Sequence, residues 1–196
     1  HSIGSNCVEN QPLPLGLFKR HLDFFKENKY NVISLYKLAE MIRERKKIIT
    51  PTVSLTFDDG YQDCFSVVYP MLKEYGFPAT IFVIVNKIGQ KGYLNFDQIN
   101  KMIAEGLITV GSHTMNHNYL LHLKEEDIVY EIEESKNILE NNLGCGIDFF
   151  AYPWGGFSSC IQTMVKNTGY KVAFTTNMRI NKNLHCKDLY AMRRIT

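Results

Sequence analysis

Strand-like and helix-like segments alternate along most of this chain, and the alternation restricts the fold more than any other feature. Short apolar runs bounded by turn residues predict strands over residues 52–57, 79–85, 107–111, 148–152, 171–175 and 189–195. Apolar residues at helical spacing predict helices over residues 15–28, after Ser34, and over 63–75, 96–105, 124–142 and 158–168. Strands and helices that alternate through short connections predict an α/β fold with a parallel sheet, either open and doubly wound or closed into a barrel.

Length and charge limit the functions that the chain can have. With 196 residues, of which 45% are hydrophobic, the chain has the size and apolar content of a single domain over residues 1–196. A formal net charge of +2, without a long run of Lys and Arg, argues against nucleic acid as a partner. No run approaches the roughly 20 apolar residues of a membrane helix, so we expect no transmembrane segment in this chain. We expect a monomer or a weak oligomer.

Two adjacent carboxylates follow the first predicted strand of the alternating region. Asp58 and Asp59 come directly after an apolar run and are followed by Gly60. Chemistry in parallel α/β folds is concentrated at the carboxyl ends of the strands. A strand that ends in a glycine turn allows both carboxylates to face one cavity. The alternative is a turn with a helix N-cap, for which this composition is common.

A histidine pair follows another predicted strand. His113 and His117 are four residues apart, a spacing that places both imidazoles on one face of a helical turn. Because this strand end is expected on the same edge as the two carboxylates, two His and one Asp predict a three-ligand metal site. Such a donor set leaves positions open for water and suits zinc or another divalent ion.

An aromatic loop follows the strand predicted at 148–152. It contains Tyr152, Pro153, Trp154 and Gly155, and Trp154 is the only tryptophan of the chain. Beside a polar metal site, such a loop is suited to stacking on a sugar, and its backbone N–H groups are suited to an oxyanion. The alternative is a rigid turn with a tryptophan in the core.

Together these clusters resemble a known family. The motifs Thr56-Phe57-Asp58-Asp59-Gly60, Ser112-His113-Thr114-Met115-Asn116-His117 and Tyr152-Pro153-Trp154-Gly155 resemble those of the polysaccharide deacetylases, carbohydrate esterases with a NodB-type domain. The likeness extends over about residues 52–173. It implies an irregular, incomplete (β/α) barrel of about seven strands, similar to a TIM barrel. It also implies a hydrolase that removes N-acetyl groups from an amino-sugar polysaccharide.

The resemblance assigns a role to each motif residue. Asp59, His113 and His117 would bind one divalent metal, with Zn²⁺ preferred and Co²⁺, Ni²⁺ or Fe²⁺ as alternatives. Asp58 would be the general base that takes a proton from the attacking water. The backbone N–H of Trp154 would help to hold the tetrahedral oxyanion.

In one position the chain departs from the family pattern. Many members carry an arginine that orients the base, and Ala151 occupies the corresponding position here. Arg193 or Arg194, near the end of the chain, is a candidate replacement. The alternative for each of the two is an ordinary surface arginine.

The general acid for the leaving amine is a second departure. The late histidine motif of the family is absent, and His185 has neighbours that do not match it. The chain most resembles the biofilm poly-N-acetylglucosamine deacetylase branch, where a permuted strand ending in Tyr-His lies near the N-terminus. On this likeness His1 is preferred over His185 as the acid, a site without a protein acid is the third possibility, and the domain lacks its first strand.

Two other functions and the cellular location stay open at this point. The missing arginine and acid allow a catalytically impaired, glycan-binding relative of the same fold. Two histidines and one carboxylate also suit an iron oxygenase, although Asp58 beside Asp59 argues against it. Five scattered cysteines without a C-x-x-C pair argue against a disulfide framework and favour the cytoplasm, whereas the resemblance favours the bacterial cell envelope or periplasm.

Overall fold

The structure is a computed structural model and describes residues 13–178 and 189–195. The helices of this part of the chain are Leu15–Glu27 (α1), Leu35–Arg43 (α2), Tyr69–Tyr75 (α3), Phe96–Ala104 (α4), Glu125–Leu143 (α5) and Ser159–Asn167 (α6). The strands are Asn31–Val32 (β1), Thr52–Val53 (β2), Leu55–Phe57 (β3), Ala79–Val83 (β4), Ile108–Ser112 (β5), Phe149–Ala151 (β6), Val172–Met178 (β7) and Met192–Arg194 (β8). A π-helical turn, Cys64–Val68, runs into α3, and 3₁₀ turns cover Val85–Lys87, Leu120–His122 and Pro153–Gly155.

Local sequence explains where the helices begin. The helix predicted after Ser34 is confirmed as α2, and Ser34 caps it, because its hydroxyl accepts a hydrogen bond from the Lys37 backbone N–H at 3.2 Å. At the start of α4, the side chains of Asn95 and Gln98 each accept from the other residue's backbone N–H, which forms a capping box. The segment predicted as one helix at 63–75 is divided into the π-helical turn and α3.

The strands form one large parallel sheet and one small parallel pair. The six strands from β3 to β8 lie side by side in sequence order, and β1 pairs with β2. The strand predicted at 52–57 is interrupted at Ser54, so its first part pairs with β1 and its second part with β4. The strand β1 was not predicted, because two residues are too short to show an alternating pattern.

The large sheet is curled. Five strand-to-strand spacings of roughly 4.8 Å separate its outer strands, β3 and β8, which would therefore lie about 24 Å apart in a flat sheet. Instead, the Arg194 side chain on β8 reaches Thr56 on β3 and Asp58 just after it, with 2.6 Å between Arg194 Nη1 and Asp58 Oδ1. Only a rolled sheet brings these ends together, so the predicted incomplete (β/α) barrel is confirmed.

The two faces of the curled sheet bury different sets of apolar side chains. One set packs between the sheet and the surrounding helices and includes Ile81, Val83, Phe150 and Ala173. The other set lies on the opposite face with residues of α2 and includes Leu35, Phe82, Phe149, Ala151, Phe174 and Met192. The alternation along β4, β6 and β7 follows from side chains that point to opposite faces at successive strand positions.

Two further predictions concern segments that the structure describes. No helix among the described residues is both long and apolar enough to cross a membrane. The cysteines of these ranges, Cys64, Cys145 and Cys160, are free thiols, as the scattered spacing predicts. Cys7 and Cys186 lie outside the described residues.

Candidate active site

The predicted site residues gather at one edge of the curled sheet. Asp58 and Asp59 follow β3, His113 and His117 follow β5, and the aromatic loop follows β6. Because these strands are parallel, their carboxyl ends meet at the same edge. Curling brings the end of β8 to the same place.

Asp59, His113 and His117 form a compact group of possible metal ligands. Their donor atoms all lie within 4.8 Å of one another. The Asp59 Oδ1 atom is 3.5 Å from His113 Nε2 and 3.4 Å from His117 Nε2. Three side chains predicted from two separate motifs therefore point at one small volume.

The donor atoms fit a divalent ion. Asp59 Oδ1 is buried and has no hydrogen-bond partner among the described residues, which is costly for a carboxylate oxygen unless a cation binds it. Two imidazole nitrogens and one carboxylate oxygen are the donor types of catalytic zinc sites, which keep a position open. Tetrahedral ligands about 2.05 Å from zinc lie about 3.3 Å apart, close to the two distances between Asp59 and the histidines.

The backbone of β6 orients the His113 ring. His113 is almost fully buried, and its Nδ1 lies 2.8 Å from the carbonyl oxygen of Ala151. Nδ1 carries the hydrogen in this contact, since a carbonyl oxygen only accepts, and the lone pair is left on Nε2. The nitrogen that faces Asp59 is therefore the one that is free to bind a metal.

The histidine pair is brought together by a loop and not by the predicted helical turn. Thr114 and His117 have positive φ angles of 68° and 62°, which do not occur in an α-helix. The backbone N–H of His117 donates to the Thr114 hydroxyl at 3.0 Å and closes the loop. The two rings still meet, with 4.8 Å between the centroids of His113 and His117. The predicted proximity was right, and its geometric explanation was wrong.

Asp58 lies beside the three donors and is bound by an arginine. Arg194 donates to both carboxylate oxygens of Asp58, at 2.6 and 2.7 Å, and Asp58 Oδ2 is 3.9 Å from His113 Nε2. Burial alone would raise the pKa of Asp58, but the charge of Arg194 and its hydrogen bonds hold that pKa at about 2. Asp58 is consequently ionised at neutral pH and held in one orientation.

Only one of the two candidate arginines pairs with Asp58. Arg194 is partly buried, with its guanidinium on Asp58 and over the Phe82 ring at 5.7 Å. Arg193 is exposed, because neighbouring side chains of a strand point to opposite sides.

The aromatic loop presents its tryptophan to solvent. Trp154 is 65% exposed, so it is not a core residue, and its ring centroid lies 5.2 Å from that of His117. The hydroxyls of Thr175 and Thr176 on β7 donate to the carbonyls of Gly155 and Trp154 and hold the loop. A Cβ on Gly155 would lie 2.1 Å from the Thr176 hydroxyl oxygen, so only glycine fits there.

The other residues of the aromatic loop face inward. Tyr152 and Pro153 are buried, and the Tyr152 hydroxyl donates to the Tyr190 carbonyl at 3.0 Å. The Gly155 N–H donates to the Tyr152 carbonyl at 2.9 Å. The side chain of Tyr152 therefore supports the loop from the core, and Trp154 is the side chain of this loop that a ligand can reach.

Strained backbone is concentrated at this site. Among the described residues, six non-glycine residues have positive φ, and four of them belong to the three motifs. These four are Asp59, Thr114, His117 and Trp154. Such conformations persist only where the surrounding structure enforces them, and they are typical of functional sites.

Two residues that contact the site were missed by the sequence analysis. Tyr61 lies beside Asp59, and burial, followed by the charge of Asp59, raises the Tyr61 pKa. Glu131 lies on α5 and binds the loop between the histidines. A signal existed for Glu131, since it is a charged residue three positions after Ile128 on the inner face of α5.

Two histidines are the candidates for the general acid. His1 and His185 both lie outside the described residues. The preference for His1 stays a prediction.

Comparison with known proteins agrees with this arrangement. A family model described as polysaccharide deacetylase matches residues 45–173, which include the Asp, His and aromatic-loop motifs. The chain belongs to the polysaccharide deacetylase family. The resemblance inferred from the motifs is thereby confirmed.

Several relatives of this polysaccharide deacetylase family member extend over most of its length. YxkH of Bacillus subtilis, named for the same family, is 32% identical over 176 residues, 90% of this chain and 62% of YxkH. The poly-β-1,6-N-acetyl-D-glucosamine N-deacetylase of Staphylococcus aureus is 24% identical over 87% of this chain and 63% of that protein. The chain thus spans less than two thirds of these two curated relatives. The structure of the Streptococcus pyogenes deacetylase PplD in complex with acetate matches with a TM-score of 0.90 and 27% identity, over 100% of this chain and 88% of PplD.

Proposed function

We propose that this chain is a metal-dependent hydrolase that removes N-acetyl groups from the amino sugars of a polysaccharide. One observation carries the proposal. An ionised carboxylate, Asp58, is held by Arg194 next to a partly buried cluster of three possible metal ligands. A base beside a three-donor cluster is the arrangement that hydrolysis by an activated water requires.

Each side chain of the cluster has a distinct task in this proposal. Asp59, His113 and His117 hold one divalent ion, for which zinc is the first candidate. When bound, such an ion lowers the pKa of water and polarises the acyl carbonyl. Asp58 accepts the proton of the attacking water, and Arg194 keeps its carboxylate ionised and oriented. The Trp154 backbone N–H is proposed to donate to the oxyanion.

The name of one relative and the exposed tryptophan support a proposal for the substrate class. The Staphylococcus aureus relative is named for poly-β-1,6-N-acetyl-D-glucosamine. Trp154 offers an exposed aromatic face beside His117, suited to stacking on a sugar ring. We therefore propose an N-acetylglucosamine polymer as substrate.

The alternatives have less support. The suggestion of an impaired, glycan-binding protein depended partly on the missing arginine, and Arg194 now occupies that place beside Asp58. An iron oxygenase is disfavoured by membership of the polysaccharide deacetylase family and by the second carboxylate beside the three donors.

An acetate-release assay tests the proposed function. The zinc-loaded 196-residue chain is expected to release acetate, and to expose one amine per acetate, from β-1,6-linked N-acetylglucosamine oligomers. Treatment with a chelator should stop the release, and added zinc should restore it. Oligomers that bind to the metal-loaded chain without acetate release would instead support a glycan-binding protein.

Replacing Arg194 by Met is expected to change the pH dependence of this activity. The substitution removes the charge that lowers the pKa of Asp58, so this pKa rises from about 2 and the acid limb of the pH–kcat profile moves to higher pH. At neutral pH, loss of two charge-assisted hydrogen bonds should lower kcat by about ten- to hundredfold. The profile is measured from pH 3 to 9, with Arg193→Met as the matched control. An Arg194→Met profile that superimposes on the control would refute the role of Arg194.

A further inference from the structure

A buried carboxylate lies behind the loop that carries both histidines. Glu131, in the second turn of α5, is 2% exposed. It does not belong to the three-donor cluster, and no Lys or Arg of the described ranges forms an ion pair with it. A buried carboxylate is unfavourable unless hydrogen-bond donors surround it, so its partners explain why it is there.

Among the described residues, the hydrogen-bond partners of Glu131 all belong to the segment between and just after the two histidines. Glu131 Oε2 accepts from the backbone N–H groups of Met115 and Asn116, at 2.8 and 2.9 Å. Glu131 Oε1 accepts from the side-chain amides of Asn116 and Asn118, at 2.7 and 3.0 Å. Each carboxylate oxygen of Glu131 therefore accepts two hydrogen bonds, which compensates for its burial.

The loop between His113 and His117 has an unfavourable backbone conformation that contacts such as those of Glu131 must stabilise. Its backbone adopts positive φ at Thr114 and His117, conformations that such residues do not favour on their own. The loop contains no regular helix or strand between Ser112 and the 3₁₀ turn at Leu120. Glu131 satisfies the backbone N–H of the buried Met115, which would otherwise be left unpaired, and that of the neighbouring Asn116.

A second element fixes the other side of the same loop. The backbone N–H groups of Val85 and Asn86 donate to the carbonyls of Thr114 and Met115, at 3.1 and 3.0 Å. The Asn86 side chain also donates to Asn116 at 2.7 Å. These contacts come from the turn after β4, whereas Glu131 supplies the contacts from the helix layer. With Glu131 removed, the loop loses its contacts to the helix layer and keeps those to the turn after β4.

We propose that Glu131 is a positioning residue of the metal site, which holds the His113–His117 loop in the conformation that brings both imidazoles onto Asp59. The inference rests on the proposed function, because it assigns a role toward the ion that the three donors would bind. Glu131 touches neither the ion nor the substrate in this scheme. It acts through Met115, Asn116 and Asn118.

Glu131→Gln is the sharpest substitution for a test. Glutamine has nearly the same shape, but its NH₂ group would face two N–H donors in place of a carboxylate oxygen. The expected result is a zinc dissociation constant about 10- to 100-fold higher than that of the unsubstituted chain, the effect typical of residues that support metal ligands. The constant is measured by isothermal titration calorimetry on the metal-free protein, together with its thermal unfolding. Glu133→Gln, at an exposed position of the same helix, is the matched control and should bind zinc like the unsubstituted chain.

The outcomes separate this inference from the proposed function. An unsubstituted chain that binds no zinc refutes the metal-dependent function. Zinc bound equally well by the unsubstituted chain and by Glu131→Gln refutes the role of Glu131 alone, including the case in which only the melting temperature falls. If Glu131→Gln does not fold, Asn118→Ala removes one donor from an exposed position and should raise the zinc dissociation constant about threefold or more. An unchanged constant in that variant would overturn the inference.

Discussion

Asp58→Asn is expected to lower kcat for acetate release by about 10²- to 10⁴-fold, the usual contribution of a general base. The asparagine amide keeps the shape of the side chain but cannot accept a proton from water at neutral pH. Its NH₂ group, which only donates, would also replace one of the two carboxylate oxygens that accept from Arg194, so the bidentate contact is lost. The measurement is acetate release by the zinc-loaded variant at saturating oligomer concentration.

Zinc binding distinguishes loss of the base from loss of the metal. Asp58 lies outside the three-donor group, so the zinc dissociation constant of Asp58→Asn should stay within a few-fold of that of the unsubstituted chain. Asp97→Asn, an exposed aspartate on α4, is the matched control and should keep full activity. If Asp58→Asn bound zinc and kept its kcat, Asp58 would not be the base.

His113→Ala is expected to remove tight zinc binding and, with it, acetate release. Loss of a residue that only supports a metal ligand costs about 10- to 100-fold in affinity, so loss of a ligand should cost more than about 100-fold. His113 is buried, and its Nε2 is 3.5 Å from Asp59 Oδ1, so no solvent-exposed side chain can take its place easily. The affinity is measured by calorimetry and the activity by acetate release.

An exposed histidine provides the control for this variant. His21 lies on α1 with its side chain in solvent, and His21→Ala should bind zinc and release acetate like the unsubstituted chain. A His113→Ala protein that retained both properties would exclude His113 as a ligand. Partial activity restored by excess zinc would fit a weakened site that still contains Asp59 and His117.

Most of the fold could be predicted because its elements carry strong local signals. The strand β4 is a run of five fully buried residues, a pattern typical of a strand covered on both faces. Helices α2 and α4 begin directly after Ser34 and Asn95, whose side chains cap them. The break at Ser54 depends on which strand each half pairs with, and this is a long-range property that local sequence does not contain.

The same difference between local and long-range information applies to the site. Asp58, Asp59, His113 and His117 are found by their positions after strands, because parallel strands bring such positions to one edge. The loop conformation between the histidines was mispredicted, since spacing alone does not distinguish a helical turn from a bend with positive φ.

Residues that contact the site from distant parts of the chain could be identified only from the structure. Arg194 and not Arg193 pairs with Asp58 because of the side of β8 on which each side chain lies and because the sheet curls so that β8 approaches β3. The contact of Glu131 depends on how α5 packs against the loop after β5.

Anomalous scattering from a crystal of the zinc-loaded chain tests the central claim most directly. We expect one strong zinc peak per chain, about 2.0–2.2 Å from Asp59 Oδ1 and from the Nε2 atoms of His113 and His117. A zinc peak elsewhere, or an Asp59 side chain directed away from both histidines in the loaded crystal, would contradict the proposed metal site.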